Sequence, residues 1–332
     1  MLNPEMLSYV YGGLMALAIL VYAILDGYDL GVGILLPTNN DTDADTMIAS
    51  IGPFWDANET WLVLAVGLAL IAFPTAHSVI LQALYLPITI MLIGLIIRGV
   101  AFDFRAKAKI KRKKRWDTMF KLGSILAAFM QGYMLGLYVM SFDTSILSIL
   151  FALLSGAGVV GAYTLIGAAW LVLKTEGELQ FKAIHWCQFA GRITFIGVIA
   201  VSIVNPLINS DVYKAWFESQ MPLILLAPPV LCLALFIVQD RVLNKLKRNN
   251  EKRGWLPFLI SAVIFILCFF GLTYSFYPYI VPGQLTIFEA VAAPESLNFL
   301  LYGVIVVVPT IILYTLFSYR VFWGKVQPLS YY

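Results

Sequence analysis

The sequence predicts an all-α polytopic membrane protein of about nine transmembrane helices, on three observations. The 332 residues are 61% hydrophobic and only 12% charged, too few polar groups to cover a soluble domain. Apolar runs of about 20 residues, the length that crosses a hydrocarbon core of about 30 Å, recur along the whole chain. Lys and Arg concentrate in alternate linkers between these runs, which is the pattern of a protein threaded back and forth through a membrane.

The apolar runs indicate helices rather than strands. They are continuous and rich in Leu, Ile and Ala with interspersed Gly, whereas barrel strands alternate between apolar and polar residues. The first run lacks a basic segment and a cleavage site, so we expect it to be retained as a membrane helix. No long hydrophilic segment divides the chain, which predicts one integral membrane domain over residues 1–332. The predicted helices are Leu7–Leu36, Trp55–Phe73, Ser78–Ile97, Thr118–Met140, Ile149–Lys174, Ala190–Ile208, Met221–Gln239, Trp255–Tyr277 and Leu297–Phe322.

The linker after the third predicted helix carries the strongest topological signal. It is basic from Arg105 to Arg115, so the positive-inside rule places it in the cytoplasm. Alternation then puts Lys214 outside, the N-terminus outside and the C-terminus inside. The acidic linker Pro37–Phe54 is predicted to be a cytoplasmic loop without informative charge. The basic residues that fall inside are Lys107, Lys109, Lys111, Arg112, Lys113, Lys114, Lys174, Lys182, Arg192, Arg241, Lys245, Lys247, Arg248, Lys252, Arg253, Arg320 and Lys325.

Cysteines and histidines predict no metal site in this chain. Cys187, Cys232 and Cys268 have no C-x-x-C spacing, so we interpret them as packing residues rather than disulfide partners or haem attachment points. His77 is predicted in the short outer turn between helices two and three, and His185 in a cytoplasmic loop. Both are therefore expected to be surface histidines. Since topology explains the basic residues, the net charge of +3 predicts no nucleic-acid partner.

Two glycine pairs have the spacing of a close helix contact. Gly27 with Gly31, and Gly132 with Gly136, each lie four residues apart in a predicted helix. Small residues at this spacing allow helix backbones to approach closely in a membrane. The pairs predict tight packing and carry no chemistry of their own.

Charged side chains inside the predicted helices are the informative residues. They are Asp26 and Asp29 in helix one, Asp56 and Glu59 at the start of helix two, and Arg98 with Asp103 at the end of helix three. An ionised Asp or Arg costs about 2.5 to 3.5 kcal/mol at a helix centre and less near the ends. Each acidic pair has a spacing of three, so its members point the same way. Because the predicted topology puts all six in the cytoplasmic half, we expect one polar pocket open to the cytoplasm.

The residues alone leave two interpretations of this pocket open. Carboxyl groups crowded at low dielectric retain some protons near neutral pH, while Arg98 holds at least one of them ionised, which describes a proton inlet. Alternatively, Arg98 neutralises one acid, the others bond to backbone or water, and the network only ties three helices together. Trp55, next to Asp56, is grouped with Arg98 as a residue of charge pairing and assembly.

Three motifs surround these charges in order. They are DGYDLGVG at 26–33, IGPFWDANETWLV at 51–63 and RGVAFDFR at 98–105. KTEGEL at 174–179, FYPYIVP at 276–282 and the segment 309–314 follow downstream. With these motifs the sequence resembles, nearly end to end, subunit II of the cytochrome bd family of quinol oxidases, including its cyanide-insensitive branch.

The resemblance implies a fold and a set of partners. The fold would be two four-helix bundles plus a peripheral helix, paired with a similarly folded subunit I. Subunit I would carry the b-type and d-type haems, or b-type haems alone, together with the quinol site. This fits the absence of histidines from the predicted membrane core, which leaves no haem ligand pair here. A small single-helix subunit and a structural quinone occur in some members, and both stay open for this chain.

The resemblance also implies an activity and residue roles. The complex would oxidise quinol, reduce oxygen to water and take its chemical protons from the cytoplasm, in a bacterial cytoplasmic (inner) membrane. Asp56 and Asp103 match acids of the family's proton route, whereas Asp29 and Arg98 match positions important for assembly or haem environment. Glu59 departs from members that have Gln, so its role transfers least securely. The expected proton pathway comprises Asp56, Asp103, Asp29, Asp26 and Glu59.

Two other functions use the same residues. A stand-alone proton-coupled carrier would employ the buried acids as coupling sites and would be stable without a partner. A scaffold would use them only to assemble subunit I. Haem content and turnover of variants separate these alternatives from a proton route.

Overall fold

The computed structural model describes residues 3–108, 110–208, 210–217, 222–249 and 253–326. In these ranges nine helices are long and apolar enough to cross a membrane, which confirms the predicted fold class. Lys109, Met221 and Lys252, which the sequence-based prediction used, lie outside the described residues.

The helices follow the predicted spans, but several run beyond them. Apolar windows end at the first charges, whereas Lys, Arg and Glu are good helix formers and continue the helix into the polar region. This effect is largest for α4 and α7. The helices are α1 Pro4–Leu35, α2 Asp41–Ile51, α3 Trp55–Ala72, α4 Pro74–Lys107, α5 Ile110–Val139, α6 Ile146–Lys174, α7 Gly177–Ile208, α8 Ser210–Phe217, α9 Pro222–Asn249, α10 Leu256–Phe276, α11 Ile287–Ala290 and α12 Pro294–Val321; the strands are β1 Tyr279–Val281 and β2 Leu285–Thr286.

The linker predicted as a loop at Pro37–Phe54 instead contains α2. The Asn40 side chain accepts a hydrogen bond from the Asp43 backbone N–H and caps the helix, and acidic residues in the first turn favour the helix N-terminus. Ala44, Met47 and Ile48 lie on one face and are buried. Helix α2 is too short and too polar for an apolar window to detect.

The two histidines also differ from prediction, because α4 and α7 are longer than the apolar runs. His77 lies in the first turns of α4 rather than in a turn between helices. His185 lies on α7 rather than in a loop, where it is exposed. Its Nδ1 is 2.8 Å from the Phe181 carbonyl oxygen and its Nε2 is 2.9 Å from Lys247 Nζ.

The helices form two bundles that meet mainly at α6. Helices α1, α3, α4 and α5 pack together, as do α6, α7, α9 and α10, and α6 also packs against α1 and α5. Helix α12 is peripheral, with contacts to α1 and α3. The end at which α4 ends and α5 begins carries Arg105 and Lys113 and is called the basic end below.

Close approach of α1 and α5 to α6 depends on the predicted glycines. A Cβ added at Gly31 would overlap the carbonyl oxygen of Tyr163, and one at Gly27 would press on the Tyr163 ring. A Cβ at Gly132 or Gly136 would overlap the backbone of α6. The prediction of close helix packing at both pairs is therefore confirmed.

At the end opposite the basic end, the segment after α10 folds into a small cap. Strands β1 and β2 pair antiparallel, and Ile280 and Val281 pack with Leu7 and Phe73 in an apolar cluster. The Tyr11 hydroxyl donates to the Leu297 carbonyl at 2.7 Å. The cap thereby connects the N-terminal part of α1 to the start of α12.

At the basic end, a lysine at the end of α6 bonds to carbonyl groups that follow α12, and a lysine that follows α12 bonds to a carbonyl group at the end of α6. Lys174 Nζ donates to the carbonyl oxygens of Phe322 at 2.7 Å and Gly324 at 3.1 Å, while Lys325 Nζ donates to the Thr175 carbonyl at 2.8 Å. The last carbonyls of a helix lack partners inside the helix, and cations stabilise that end. These five residues, called the lysine clasp, join α12 to the second bundle.

Candidate functional site

Arg98 is the centre of the site and is completely buried. Its Nη1 donates to Asp26 Oδ1 on α1 at 3.0 Å and to Glu59 Oε1 on α3 at 2.7 Å. The guanidinium also lies 5.8 Å from the centroid of the Phe120 ring on α5. One arginine thus connects the four helices of the first bundle.

Asp29, one turn after Asp26, bonds to a neutral amide instead. Its Oδ2 accepts from Asn58 Nδ2 at 2.7 Å, and both residues are fully buried. Asn58 lies between Asp56 and Glu59 in sequence and points into the interior, on the face of α3 that also buries Trp61. Asp26, Asp29, Glu59 and Arg98 are called the carboxylate cluster below.

The carboxylate cluster has more acidic groups than cations. It contains one guanidinium and three carboxyl groups, so full ionisation would leave a net charge of −2 between the helices of the first bundle. An excess of buried charge is costly, and proteins avoid it by protonating a group. The second oxygens of Asp26 and Asp29, Oδ2 and Oδ1 respectively, have no partner among the described residues. The arrangement can therefore hold and redistribute protons among its carboxyl groups.

Asp56 and Asp103 do not join this cluster. Asp56 lies on the exposed stripe of α3 with Thr60 and Val63, and Asp103 on the exposed stripe of α4 with Val100. Neither side chain makes a hydrogen bond or ion pair with any residue that the structure describes. The predicted convergence of all six charges is therefore wrong for these two. A spacing of three leaves residues about 60° apart around a helix, enough for Glu59 to reach Arg98 while Asp56 faces outward.

Trp55 packs α3 against α4 next to the cluster. Its ring lies 4.8 Å from that of Phe102, centroid to centroid, and a Cβ added at Gly99 would contact it. The preceding residue, Phe54, is buried and stacks on Tyr319 of α12 at 4.6 Å. The FWD segment therefore contacts both α4 and the peripheral helix.

A second ionic network holds α2 at the basic end. Arg105 bonds through Nε to Asp117 of α5 and through Nη1 to Asp45 of α2 at 2.7 Å. Lys113 Nζ lies 3.1 Å from Asp45, and Lys182 Nζ of α7 lies 2.7 Å from Asp43. Partial burial would raise the pKa of Asp45, but the hydrogen bonds from Arg105 and Lys113 outweigh it and lower that pKa. The topology prediction used these cations only as signals of orientation.

The cysteines include one pair that the sequence did not indicate. Cys232 Sγ and Cys268 Sγ lie 3.8 Å apart on α9 and α10, while Cys187 is buried on α7. All three are free thiols. No group of three His, Cys, Asp or Glu within the described ranges has the arrangement of a metal site.

Sequence reasoning missed three neutral residues of the site, namely Asn58, Tyr28 and Tyr319. Tyr28 and Asn58 each lie between two predicted acids, in DGYD and WDANE, so their position was a usable signal. No such signal marked Tyr319, because it is far from the acids in sequence. The Tyr28 and Tyr319 hydroxyl oxygens lie 2.6 Å apart.

Comparison with known proteins gives consistent results. The family model described as cytochrome bd terminal oxidase subunit II matches residues 7–322. The chain is 27% identical to cytochrome bd-I ubiquinol oxidase subunit 2 of Escherichia coli K12, over 98% of this chain and 97% of that protein. It is 28% identical to cytochrome bd ubiquinol oxidase subunit 2 of Bacillus subtilis 168, over 96% and 97%. The structure of bd oxidase from Geobacillus thermodenitrificans has the same fold in one chain, with a TM-score of 0.77, 17% identity and coverage of 96% and 99%.

Proposed function

Because the chain belongs to the family of cytochrome bd terminal oxidase subunit II, we propose that it supports a haem-bearing subunit I and supplies that subunit with cytoplasmic protons. The complex oxidises quinol and reduces oxygen in a bacterial cytoplasmic membrane. The observation that carries the proton route is the carboxylate cluster, in which Arg98 is shared by Asp26 and Glu59 beside Asp29.

Exposure of the acids decreases along the proposed route. Asp56 and Asp103 are exposed near the basic end, the Glu59 side chain is 29% exposed, and the Asp26 side chain is 0% exposed. Protons enter at the exposed acids and reach Glu59, one turn of α3 after Asp56. Glu59, the residue that departs from the family pattern, is thus the link between surface and interior.

Arg98 couples the protonation of Glu59 to that of Asp26. Both carboxylates accept from the same nitrogen, Nη1, so the two ion pairs compete. A proton that arrives on Glu59 weakens its bond to Arg98 and strengthens the pairing of Arg98 with Asp26. The guanidinium itself stays charged at all working pH values, so it keeps one of the two carboxyl groups ionised while the other holds the proton.

Neither histidine of this chain is placed to hold a haem iron, so we assign the haems to subunit I. A haem iron is held by side chains such as His, Cys or Met from inside the membrane protein. His185 is exposed and already contacts Lys247, and His77 lies near the opposite end of the bundle. The cofactor chemistry therefore depends on the partner, and no step in this chain passes through it.

The Asp56→Asn variant tests the proton route. Asn keeps the size of the side chain but cannot take up and release a proton. Oxygen consumption per haem by the purified complex is expected to fall, while reduced haem spectra stay normal. The measurements are oxygen-electrode turnover and haem content of one preparation.

Asp240→Asn is the matched control, since Asp240 is a partly exposed acid of α9 in the other bundle. It is expected to leave turnover unchanged. Full turnover per haem in Asp56→Asn would remove Asp56 from any essential route. Joint loss of haem and activity would favour the scaffold, and a colourless, active chain purified alone would favour the carrier.

Reporter fusions test the orientation. A cytoplasm-specific reporter is expected to be active after Lys113 and at the C-terminus and inactive at the N-terminus, because the basic linker stays inside. A reporter that works on the outside at Lys113 would contradict the orientation and place the proton entrance on the wrong side of the membrane.

A further inference from the structure

Three neutral groups next to Asp29 form a closed hydrogen-bonded ring. Asn58 Nδ2 lies 2.9 Å from the Tyr28 hydroxyl, the Tyr28 hydroxyl lies 2.6 Å from that of Tyr319, and the Tyr319 hydroxyl lies 3.3 Å from Asn58 Oδ1. Tyr28 belongs to α1, Asn58 to α3 and Tyr319 to α12. The ring therefore joins the peripheral helix to the interior of the first bundle.

The chemistry of the groups fixes the direction of each bond. The Asn58 nitrogen only donates, so the Tyr28 hydroxyl accepts there and gives its own proton to Tyr319. The Tyr319 hydroxyl in turn donates to the Asn58 carbonyl oxygen. The Leu25 carbonyl oxygen, which only accepts, lies 3.3 Å from the Asn58 nitrogen and fixes this orientation of the amide. In this orientation Asn58 Nδ2 also donates to Asp29 Oδ2, at 2.7 Å.

The position of this amide matters because Asp29 has no other hydrogen-bond partner among the described residues. Its Oδ1 is buried and unpartnered. An N–H donor stabilises the carboxylate form of Asp29, whereas an amide oxygen at the same place would require a proton on Asp29. The groups that hold the Asn58 side chain in place therefore affect how readily Asp29 gives up its proton.

The position of the Tyr319 hydroxyl is fixed by two sets of contacts. Its ring stacks on Phe54 at 4.6 Å with an angle of 30° between the planes. Three residues further on, the lysine clasp fixes the end of α12 to α6. The hydroxyl is thus located by contacts that do not involve Asp29.

We propose that Tyr319 is a positioning residue for Asp29, acting through the ring with Tyr28 and Asn58 that holds the Asn58 amide N–H against the carboxyl group. This proposal rests on the proposed function, because it assumes that Asp29 exchanges protons during turnover. It gives the peripheral helix a part in the proton chemistry of the first bundle.

The Tyr319→Phe variant of the complete oxidase tests the proposal, since Phe keeps the ring stack and removes only the hydroxyl. Haem content and the KM for quinol are expected to be unchanged. The acid limb of the pH profile of oxygen consumption is expected to move to higher pH. The shift should be about one pH unit, the effect of one hydrogen bond to a charged group.

Tyr28→Phe breaks the same ring and should give the same shift, and the double variant should shift no further than either single one. Tyr302→Phe is the control, because Tyr302 lies on α12 with 76% exposure, and its profile should match the unmodified oxidase. An unshifted profile in Tyr319→Phe, or loss of haem without a shift, would overturn the proposal. If Tyr319→Phe does not assemble, Tyr28→Phe decides by the same measurement.

The proposal and the proton route can fail separately. Full turnover in Asp56→Asn together with shifted profiles in both tyrosine variants would reject entry at Asp56 and retain positioning of Asp29. Slowed turnover in Asp56→Asn with unshifted tyrosine variants would retain entry at Asp56 and reject positioning of Asp29 by Tyr319.

Discussion

Arg98→Gln is expected to prevent accumulation of the haem-loaded oxidase. Arg98 is the only cation that bonds to Asp26 and Glu59 among the described residues, and it is completely buried. Its removal leaves uncompensated carboxylates between α1 and α3, at a cost of about 3 to 5 kcal/mol for a broken buried pair. That cost is comparable to the whole stability of a marginal protein.

Yield and haem content of the purified complex measure this effect. Arg192→Gln is the matched control, because Arg192 is an arginine of α7 with a 72% exposed side chain and one long contact to Asp240 at 3.5 Å. Exposed pairs contribute about 0 to 1 kcal/mol, so this control should assemble normally. A stable, haem-replete Arg98→Gln complex would show that the carboxylate cluster does not need its cation.

Gly31→Ala is expected to destabilise the fold at the seam between α1 and α6. The new Cβ would overlap the Tyr163 carbonyl oxygen and approach Gly167, and backbone atoms cannot move aside without separating the helices. Overpacking costs about 1 to 3 kcal/mol when side chains can adjust, so the expected loss lies at the upper end or beyond. Asp29 lies just before the seam and would be displaced with it.

Gly13→Ala is a control on the same helix, and we expect it to raise the stability of the protein. Nothing lies within 4 Å of a Cβ added there, and Ala favours a helix over Gly by about 1 kcal/mol. Thermal inactivation of the two purified complexes should therefore move in opposite directions. Equal thermal stability of Gly31→Ala and the unmodified oxidase would contradict the observed closeness of α1 and α6.

The membrane spans were predictable because they depend on one local property. Each span is an apolar run as long as the hydrocarbon core is thick, and nine such helices occur in the described part of the chain. Helix α2 escaped detection because its apolar residues, including Met47 and Ile48, belong to a segment of 11 residues, too short to cross a hydrocarbon core. Its stability comes from packing and from ion pairs to Arg105 and Lys182, which are far away in sequence.

The site was predictable in part, for a different reason. A charge in an apolar run stands out whatever its surroundings, so Asp26, Asp29 and Arg98 were found directly. Which face of a helix becomes buried depends on neighbouring helices, and for this reason the prediction wrongly placed Asp56 and Asp103 in the pocket. Tyr319 lies 291 residues from Tyr28, and only the path of the whole chain brings the two together.

The lysine clasp has a consequence for how the chain is made. Its two halves are separated by 150 residues, and three membrane-length helices of the described chain, α7, α9 and α10, lie between α6 and α12. During synthesis Lys174 emerges long before Gly324 and Lys325, so its ammonium group has no carbonyl partner until α12 has crossed the membrane. Closure of the clasp therefore requires that α12 has crossed the membrane and that the ends of α6 and α12 lie on the same face of the bilayer. A single span threaded the wrong way would leave the two lysines on opposite faces of the bilayer.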